Sequence, residues 1–314
     1  MTSRLPSIDG RIRSIDPIPF DPKNVQANWN EAAIALATKR AEQLDAFRMT
    51  YTSNGHSVAG FIVQPKHADG PLPCIIVNRG GTKAFGAITN TMVFGLFSVI
   101  ASWGYVVFAS QYSGGPGSEG QDEQGGADID DVLALKDIAD VHPLVERGNI
   151  GMYGGSRGGM MLYIALTKVP WIRAAVAAAA TADLTRLQTV RPEMRIVFDE
   201  CFGGGVEGLR ERSAVCWPER FPANVPLLIM HGTADERVPV DDSIDLVRAL
   251  LKSGMHPKLV LFDGDDHFFT KSKREQMRLT REWFDRYLKD RSAGQTPRHG
   301  TSALRTAQEN AAPR

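Results

Sequence analysis

Residues 150–159 read Ile-Gly-Met-Tyr-Gly-Gly-Ser-Arg-Gly-Gly, so a short apolar run ends abruptly in glycines around Ser156. This Gly-x-Ser-x-Gly pattern lies between a predicted strand and a predicted helix, the setting in which it indicates a nucleophile elbow. A turn this tight strains its serine and leaves no room for side chains at Gly154 and Gly158. The sequence therefore predicts that Ser156 stands clear of a sheet, facing the amides and the positive dipole end of the following helix.

Strand and helix patterns alternate from residue 74 onward. Continuous apolar runs, typical of strands covered on both faces, occur at 74–77, 105–109, 174–180, 226–230 and 258–262. Helical patterns lie between and after them, and the last helix carries an apolar stripe. This alternation predicts an α/β fold with a mostly parallel central sheet and helices on both faces. Ahead of it, Asn54-Gly55 between two apolar runs predicts a hairpin of strands 47–52 and 58–64.

The chain is expected to divide into three parts. Residues 1–45 are an N-terminal part, in which an irregular arm (1–29) is followed by a helix starting at Glu31 and predicted to reach Phe47. Residues 46–290 are the α/β domain, and within it 181–223 interrupt the alternation as a cap-like insertion over the carboxyl edge of the sheet. Residues 291–314 are polar, with little apolar content, and are predicted to be a disordered tail.

The charge balance and hydropathy exclude several partners. Lysine plus arginine equal aspartate plus glutamate, 36 against 36, so no basic field is available to recruit nucleic acid or an anionic membrane. The N-terminus lacks the apolar core of a secretory signal, and no run of about 18 apolar residues follows. We therefore expect a cytoplasmic protein with a small-molecule partner; a homo-oligomer is left open.

No cofactor or metal is expected. The three cysteines show no metal-binding or redox spacing, so Cys74 is predicted to lie in the core and Cys201 and Cys216 to be free thiols. The acidic residues at 128, 130 and 131 are better explained as first-turn residues that complement a helix dipole than as metal ligands.

A serine hydroxyl is nearly inert at neutral pH, so Ser156 needs a base and a group that orients the base. In this topology an acid and then a histidine follow the serine, each just past the end of a later strand. Run 226–230 leads to Asp235, and run 258–262 leads to His267. We predict Asp235 as the acid, with Glu236 as the alternative, and His267 as the base.

The other histidines are less suitable as the base. His256 precedes its strand and is expected at the opposite edge, and His231 at a strand end is expected to be structural. The rest fall on predicted turns or on the tail: His56, His67, His142 and His299.

The tetrahedral intermediate of acyl transfer needs hydrogen-bond donors for its oxyanion. One predicted donor is the backbone amide of Arg157, directly after the serine. A second is expected from the loop at 78–81, which contains Arg79 and Gly80. The alternative for this loop is an ordinary strand-to-helix turn.

Three stretches together resemble a known family: Gly-Gly-Ser-Arg-Gly-Gly around Ser156, His-Gly-Thr-Ala-Asp-Glu-Arg-Val-Pro, and Gly-Asp-Asp-His-Phe. They are similar to the α/β-hydrolase fold and, within it, to the catalytic domain of the prolyl oligopeptidase-like (S9) serine hydrolases. The stretch from Tyr112 through Gly125-Gly126-Ala127-Asp128 is similar too. The resemblance covers about residues 45–290 and implies Ser156, Asp235 and His267 as the catalytic triad.

Two departures from that family stand out. Its peptidases usually carry a β-propeller ahead of the hydrolase domain, whereas fewer than 50 residues precede the first predicted strand here. Its oxyanion loop often reads Tyr-Gly-Gly-Pro, with the tyrosine hydroxyl as donor. This chain has Arg79-Gly80-Gly81-Thr82, which makes the guanidinium of Arg79 a candidate donor that brings a fixed charge.

Three functions follow, in descending order of preference. The first is hydrolysis of small carboxylic esters through an acyl-enzyme. The second is hydrolysis of short peptides or aminoacyl amides, in which Asp265, Asp266 or the insertion anchors a free amine. The third is a binding protein that keeps the fold without catalysis.

Overall fold

The computed structural model describes residues 5, 11–25 and 29–290. Within these residues the chain builds one nine-stranded sheet. In chain order its strands are β1 (Ile12–Pro17), β2 (Leu44–Ser53), β3 (His56–Pro65), β4 (Leu72–Asn78), β5 (Val106–Ser110), β6 (Val145–Gly155), β7 (Ile172–Ala178), β8 (Leu227–Gly232) and β9 (Lys258–Phe262).

The spatial order of the strands is β1-β2-β3-β5-β4-β6-β7-β8-β9. From β5 to β9 every neighbouring pair is parallel, while β1, β2 and β3 are joined by antiparallel pairs and β3 is antiparallel to β5. The predicted mostly parallel sheet is therefore confirmed. Because parallel strands end at one edge, the loops after β4, β6, β8 and β9 meet there.

Helices cover both faces of this sheet. Along β4, Cys74 and Ile76 pack into one apolar cluster, whereas Ile75 and Val77 pack into the other, as the two-residue period of a strand requires. Outside residues 181–223, the α-helical segments are Glu31–Gln43, the stretch 90–101 with a π-helical turn at Val93–Phe97, Ile129–Leu133, Leu135–Val141, Arg157–Lys168, Val240–Lys252 and Lys273–Phe284, which continues into a π-helical turn at Asp285–Lys289.

The N-terminal segment differs from its prediction. Ile12–Pro17 form the edge strand β1 on β2, with Ile12 buried, so the expected irregular arm is wrong for these residues. The first helix ends at Gln43 rather than at Phe47, because β2 begins at Leu44. The hairpin is confirmed, with Asn54 and Gly55 both at positive φ in its turn. The predicted tail and His299 lie outside the described residues.

The insertion is helical and is tied to the domain on two sides. Its helices are Leu184–Val190, Met194–Phe202 and Val206–Glu211. On one side, Asp242 accepts hydrogen bonds from the backbone amides of Ala182 and Asp183. On the other, the guanidinium of Arg212 donates to the carbonyls of Glu123 and Gln124, in the loop after β5. The insertion thus spans the carboxyl edge.

The remaining expectations concern thiols, metals and membranes. All three cysteines are free, with Cys74 and Cys201 buried. In the described ranges, no cluster of three or more His, Cys, Asp or Glu residues could hold a metal ion. None of the helices described here has the length and apolarity needed to cross a bilayer.

Candidate active site

Ser156 occupies the turn between β6 and the helix Arg157–Lys168. Its φ of 56° and ψ of −126° are rare for a residue with a side chain, and the predicted strain is confirmed. The turn is held on both sides, because the Ser156 amide donates to Ala178 O at 3.0 Å and its carbonyl accepts from the Gly159 amide at 2.9 Å.

The glycines flanking Ser156 are required by backbone contacts. A Cβ atom at Gly154 would lie 2.2 Å from the carbonyl oxygen of Gly158, and one at Gly158 would lie 2.1 Å from that of Asn78. Both distances are far below van der Waals contact with atoms that cannot swing aside. The predicted crowding is confirmed. Because neither glycine has a side chain, the end of β4 can approach the elbow.

The structure brings Asp235 and His267 together at the same edge. Asp235 Oδ2 lies 2.7 Å from His267 Nδ1, and the Asp235 side chain is fully buried. Asp235 Oδ1 accepts from the backbone amides of Arg237 and Val238 at 2.8 and 2.9 Å, so the carboxylate is fixed. Since Nδ1 faces the carboxylate, Nε2 is the nitrogen that can accept the Ser156 proton. Glu236, the alternative acid, is exposed.

His231 is fully buried beside the same carboxylate. Its Nδ1 is 2.7 Å from Ser243 Oγ, and its Nε2 is 2.9 Å from Val238 O and 3.2 Å from Asp235 Oδ2. Because Nε2 faces only acceptors, it is a nitrogen that donates, and this contact holds the His231 ring beside the Asp235 carboxylate. Sequence reasoning placed this ring as structural but missed its contact with Asp235.

Several hydrogen bonds keep Asp235 ionised. Burial alone would raise its pKa, but hydrogen bonds from His231 and His267 and the amide of Val238 outweigh burial and hold the pKa well below its usual range. The carboxylate is therefore charged at neutral pH and can stabilise an imidazolium on His267.

The loop after β4 lies against the nucleophile. An ideal Cβ atom on Gly80 would sit 3.3 Å from Ser156 Cβ and 3.8 Å from Ser156 Oγ, so the Gly80 backbone itself packs on the serine. The amide of Arg157 is in the first turn of its helix, where no intrahelical acceptor exists. Both candidate backbone donors are thus next to Ser156.

The guanidinium of Arg79 is directed elsewhere. It is buried, and it donates to the carbonyl oxygens of Gln111 at 2.9 and 3.0 Å and of Gly80 and Lys83 at 3.1 Å. Because these carbonyl groups already take its hydrogen bonds, the guanidinium is a poor candidate for the oxyanion donor. Its contacts instead hold the shape of the loop.

Arg157 binds two buried carboxylates. Its guanidinium makes a bidentate pair with Asp122, with both distances 2.7 Å, and reaches Asp128 Oδ2 at 2.6 Å. It also donates to Gly81 O at 2.8 Å, while Asp122 accepts from the backbone amide of Lys83 at 2.7 Å. The residue after the nucleophile thereby ties the loop after β4 to the loop after β5. Sequence reasoning singled out neither carboxylate for this contact.

Two exposed rings flank the site. Phe85 belongs to the loop after β4 and Phe268 follows His267, with 67% and 59% of their surfaces exposed. The guanidinium carbon of Arg237 lies 5.6 and 5.5 Å from their ring centroids. These three side chains form an amphipathic rim that sequence reasoning did not identify.

The two aspartates considered as amine anchors are already bonded within their own loop. Asp265 is buried and accepts from the amides of Lys271 and Ser272 at 3.1 and 2.9 Å. Asp266 accepts from the amides of Phe268 and Thr270 and from the Thr270 hydroxyl. Both carboxylates shape the turn that carries His267.

A model of the prolyl oligopeptidase family matches residues 92–291, more than half of the chain. The chain belongs to the prolyl oligopeptidase family. It is a serine hydrolase of the α/β-hydrolase fold, as the sequence motifs predicted.

Two relatives and one solved structure are similar to most of this chain but differ from it in length. The chain is 26% identical over 249 residues to YtmA of Bacillus subtilis, named as an uncharacterized peptidase, covering 77% of this chain and 94% of YtmA. It is 29% identical over 261 residues to YuxL of the same organism, also named as an uncharacterized peptidase, covering 76% of this chain but 38% of YuxL. The acylaminoacyl peptidase of Pyrococcus horikoshii superposes with a TM-score of 0.69 at 21% identity, covering 81% of this chain and 43% of that one.

The acid of the triad can be tested with two neighbouring variants. Asp235→Asn is expected to lower kcat by about 10³- to 10⁴-fold, because the amide no longer stabilises the imidazolium or holds the required tautomer. Glu236→Gln is the matched control and should retain wild-type kcat. Steady-state ester hydrolysis measures both; a loss confined to Glu236→Gln would make Glu236 the acid.

Proposed function

We propose that this chain hydrolyses carboxylic esters of small molecules through an acyl-enzyme on Ser156. The observation that carries the proposal is the pair of Asp235 and His267, 2.7 Å apart, at the sheet edge where the strained Ser156 stands. Neither a cofactor nor a metal enters the chemistry, which these side chains and backbone amides suffice to perform.

In the first half-reaction, Ser156 Oγ attacks the ester carbonyl while His267 Nε2 takes the hydroxyl proton. Asp235 holds the imidazole through Nδ1 and stabilises its positive charge. The carbonyl oxygen becomes an oxyanion, which the backbone amides of Arg157 and Gly80 stabilise. The carbon–oxygen bond then breaks, His267 gives its proton to the leaving alkoxide, and an acyl ester on Ser156 remains.

In the second half-reaction, water attacks the acyl-enzyme. His267 Nε2 takes a proton from the water, and the same backbone amides stabilise the second oxyanion. Collapse of this intermediate releases the carboxylic acid and returns the proton to Ser156. The enzyme is regenerated with no net change in its protonation.

The side chains at the rim of the site favour small esters that carry apolar groups. Phe85 and Phe268 offer exposed rings on either side of Arg237, next to the oxyanion loop and to His267. Such rings favour an acyl or alcohol group with an apolar or aromatic face.

The second candidate is cleavage of short peptides or aminoacyl amides, which the relatives named as peptidases favour. A free substrate amine would need a carboxylate to anchor it. Asp265 and Asp266 are committed to backbone amides, and Glu200 of the insertion pairs with Lys83 at 2.7 Å. These contacts support our proposal of an ester as the substrate.

Replacing the nucleophile is the direct test of the proposed enzyme. Ser156→Ala is expected to lower hydrolysis of short-chain nitrophenyl esters by about 10⁴-fold or more, because no acyl-enzyme can form. Ser102→Ala, at an exposed serine, is the control and should keep full activity. A fluorophosphonate should label Ser156, as detected by mass spectrometry; unchanged turnover in Ser156→Ala would overturn the proposal, and absence of labelling would favour a binding protein.

The preference for esters can be tested with matched substrates. Phenylalanine methyl ester and 4-nitroanilide, each with a free and with an acetylated amine, give four values of kcat/KM from one preparation. We expect kcat/KM to be higher for the esters than for the anilides and the free amine to bring no advantage, since Asp265 and Asp266 already accept hydrogen bonds within their own loop. An anilide value above that of its ester, or a preference for the free amine, would make the peptidase the better assignment.

A further inference from the structure

Tyr112 packs against Arg79 of the loop after β4, which is the oxyanion loop, and against Arg157. It follows β5, is fully buried, and has a φ of 63°, a left-handed conformation uncommon for a residue with a side chain. The guanidinium carbons of Arg79 and Arg157 lie over its ring, 4.8 and 4.9 Å from the centroid. Two cation–π contacts and a strained backbone thus fix one phenol ring beside the site.

The hydroxyl of this ring makes one specific contact with the loop after β4. Tyr112 Oη donates to the carbonyl oxygen of Arg79 at 3.0 Å. Burial raises the pKa of Tyr112 well above its usual range, and the two arginines only partly oppose this effect. The hydroxyl therefore keeps its proton at every pH at which a serine hydrolase works.

The Arg79 carbonyl shares a peptide plane with the Gly80 amide. A trans peptide is planar, so its N–H points opposite to its C=O. A hydrogen bond that fixes the Arg79 carbonyl on Tyr112 therefore fixes the Gly80 N–H in the direction away from Tyr112. Gly80 is the residue whose backbone packs on Ser156.

The next two carbonyls of the loop are held in the same way. Gly80 O accepts from the Arg79 guanidinium at 3.1 Å, and Gly81 O accepts from Arg157 at 2.8 Å. Three consecutive carbonyls thus each have a buried donor. Of the three donors, only the Tyr112 hydroxyl acts on the plane that carries the Gly80 N–H.

We infer that Tyr112 is a positioning residue for catalysis, whose hydroxyl orients the Gly80 backbone N–H as the second oxyanion donor. The inference rests on the proposed function, because an oxyanion forms only if Ser156 attacks a carbonyl. In this proposal Tyr112 acts through the peptide between Arg79 and Gly80, whose carbonyl its hydroxyl contacts, and not on the reacting atoms themselves.

Tyr112→Phe removes the hydroxyl and keeps the ring beneath both guanidinium groups. We expect kcat for a nitrophenyl ester to fall by about 10- to 100-fold, because a misdirected oxyanion donor stabilises the transition state less. KM should stay within about twofold, since the contact matters only once the oxyanion forms. A trifluoromethyl ketone, which forms an oxyanion on the serine, should bind more weakly by the same factor as kcat.

Tyr105→Phe is the matched control. Tyr105 is an equally buried tyrosine just before β5, and its hydroxyl donates to Asp285 Oδ1 at 2.8 Å, away from the loop after β4. It should lose comparable thermal stability but keep wild-type kcat and ketone affinity. Circular dichroism and thermal unfolding of both variants establish that each is folded at the assay temperature.

The inference is overturned if Tyr112→Phe keeps the wild-type kcat, or if Tyr105→Phe lowers kcat as much. A second measurement uses the unaltered protein: the amide proton resonance of Gly80 should move downfield when the trifluoromethyl ketone binds, and an unmoved resonance also contradicts the inference. Ser156→Ala distinguishes failure of the proposed function from failure of the inference. If Ser156→Ala keeps its activity, the proposed function is wrong. If Ser156→Ala loses activity but Tyr112→Phe keeps the wild-type kcat, the proposed function stands and the role of Tyr112 is wrong.

Discussion

The buried guanidinium of Arg157 joins the elements on which the site depends. Its chain position directly after Ser156 attaches it to the elbow, and its contacts reach Asp122 and Asp128 after β5 and Gly81 after β4. Buried charges are costly when unpaired, and removing one partner of such a pair typically costs about 3–5 kcal/mol. A displacement of these loops relative to the elbow would leave a buried charge unpaired, so the cluster favours a single arrangement of the site.

The titration behaviour of the two carboxylates follows from their surroundings. Burial would raise the pKa of Asp122, but Arg157 and two backbone amides hold it below its usual range. For Asp128, burial dominates and raises the pKa to about 6, with Arg157 opposing. Asp122 is therefore the firm anion of the cluster, and it also holds the Lys83 amide. The charge that stabilises the elbow thereby holds the oxyanion loop as well.

Much of this fold could be predicted from local patterns. Local sequence alone indicates the strands β4 and β9, which are apolar runs, and the elbow, which has glycines around Ser156. A parallel sheet brings the carboxyl ends of its strands together at one edge. Strand β1 could not be predicted, because its sequence Ile-Arg-Ser-Ile-Asp-Pro is largely polar and becomes a strand only through pairing with β2. Edge strands of this kind depend on distant partners rather than on their own composition.

In the candidate site, too, some features could be predicted from the sequence and others could not. Chain order and strand ends were enough to nominate Asp235 and His267, which the structure places 2.7 Å apart. The contacts of individual side chains were not predictable. The Arg79 guanidinium donates to carbonyl oxygens of Gln111 and of its own loop, and the Asp265 carboxylate accepts from backbone amides. Such contacts depend on where loops from distant parts of the chain pass each other, and no local residue pattern encodes that.

A crystal structure of the protein phosphonylated on Ser156 tests the central claim most directly. The phosphoryl oxygen of such an adduct occupies the place of the oxyanion. The account predicts that this oxygen lies about 2.7–3.1 Å from the backbone nitrogens of both Arg157 and Gly80, with the Tyr112 hydroxyl still bonded to Arg79 O. An oxygen directed to solvent, or bonded to the Arg79 guanidinium in place of the Gly80 amide, would contradict it.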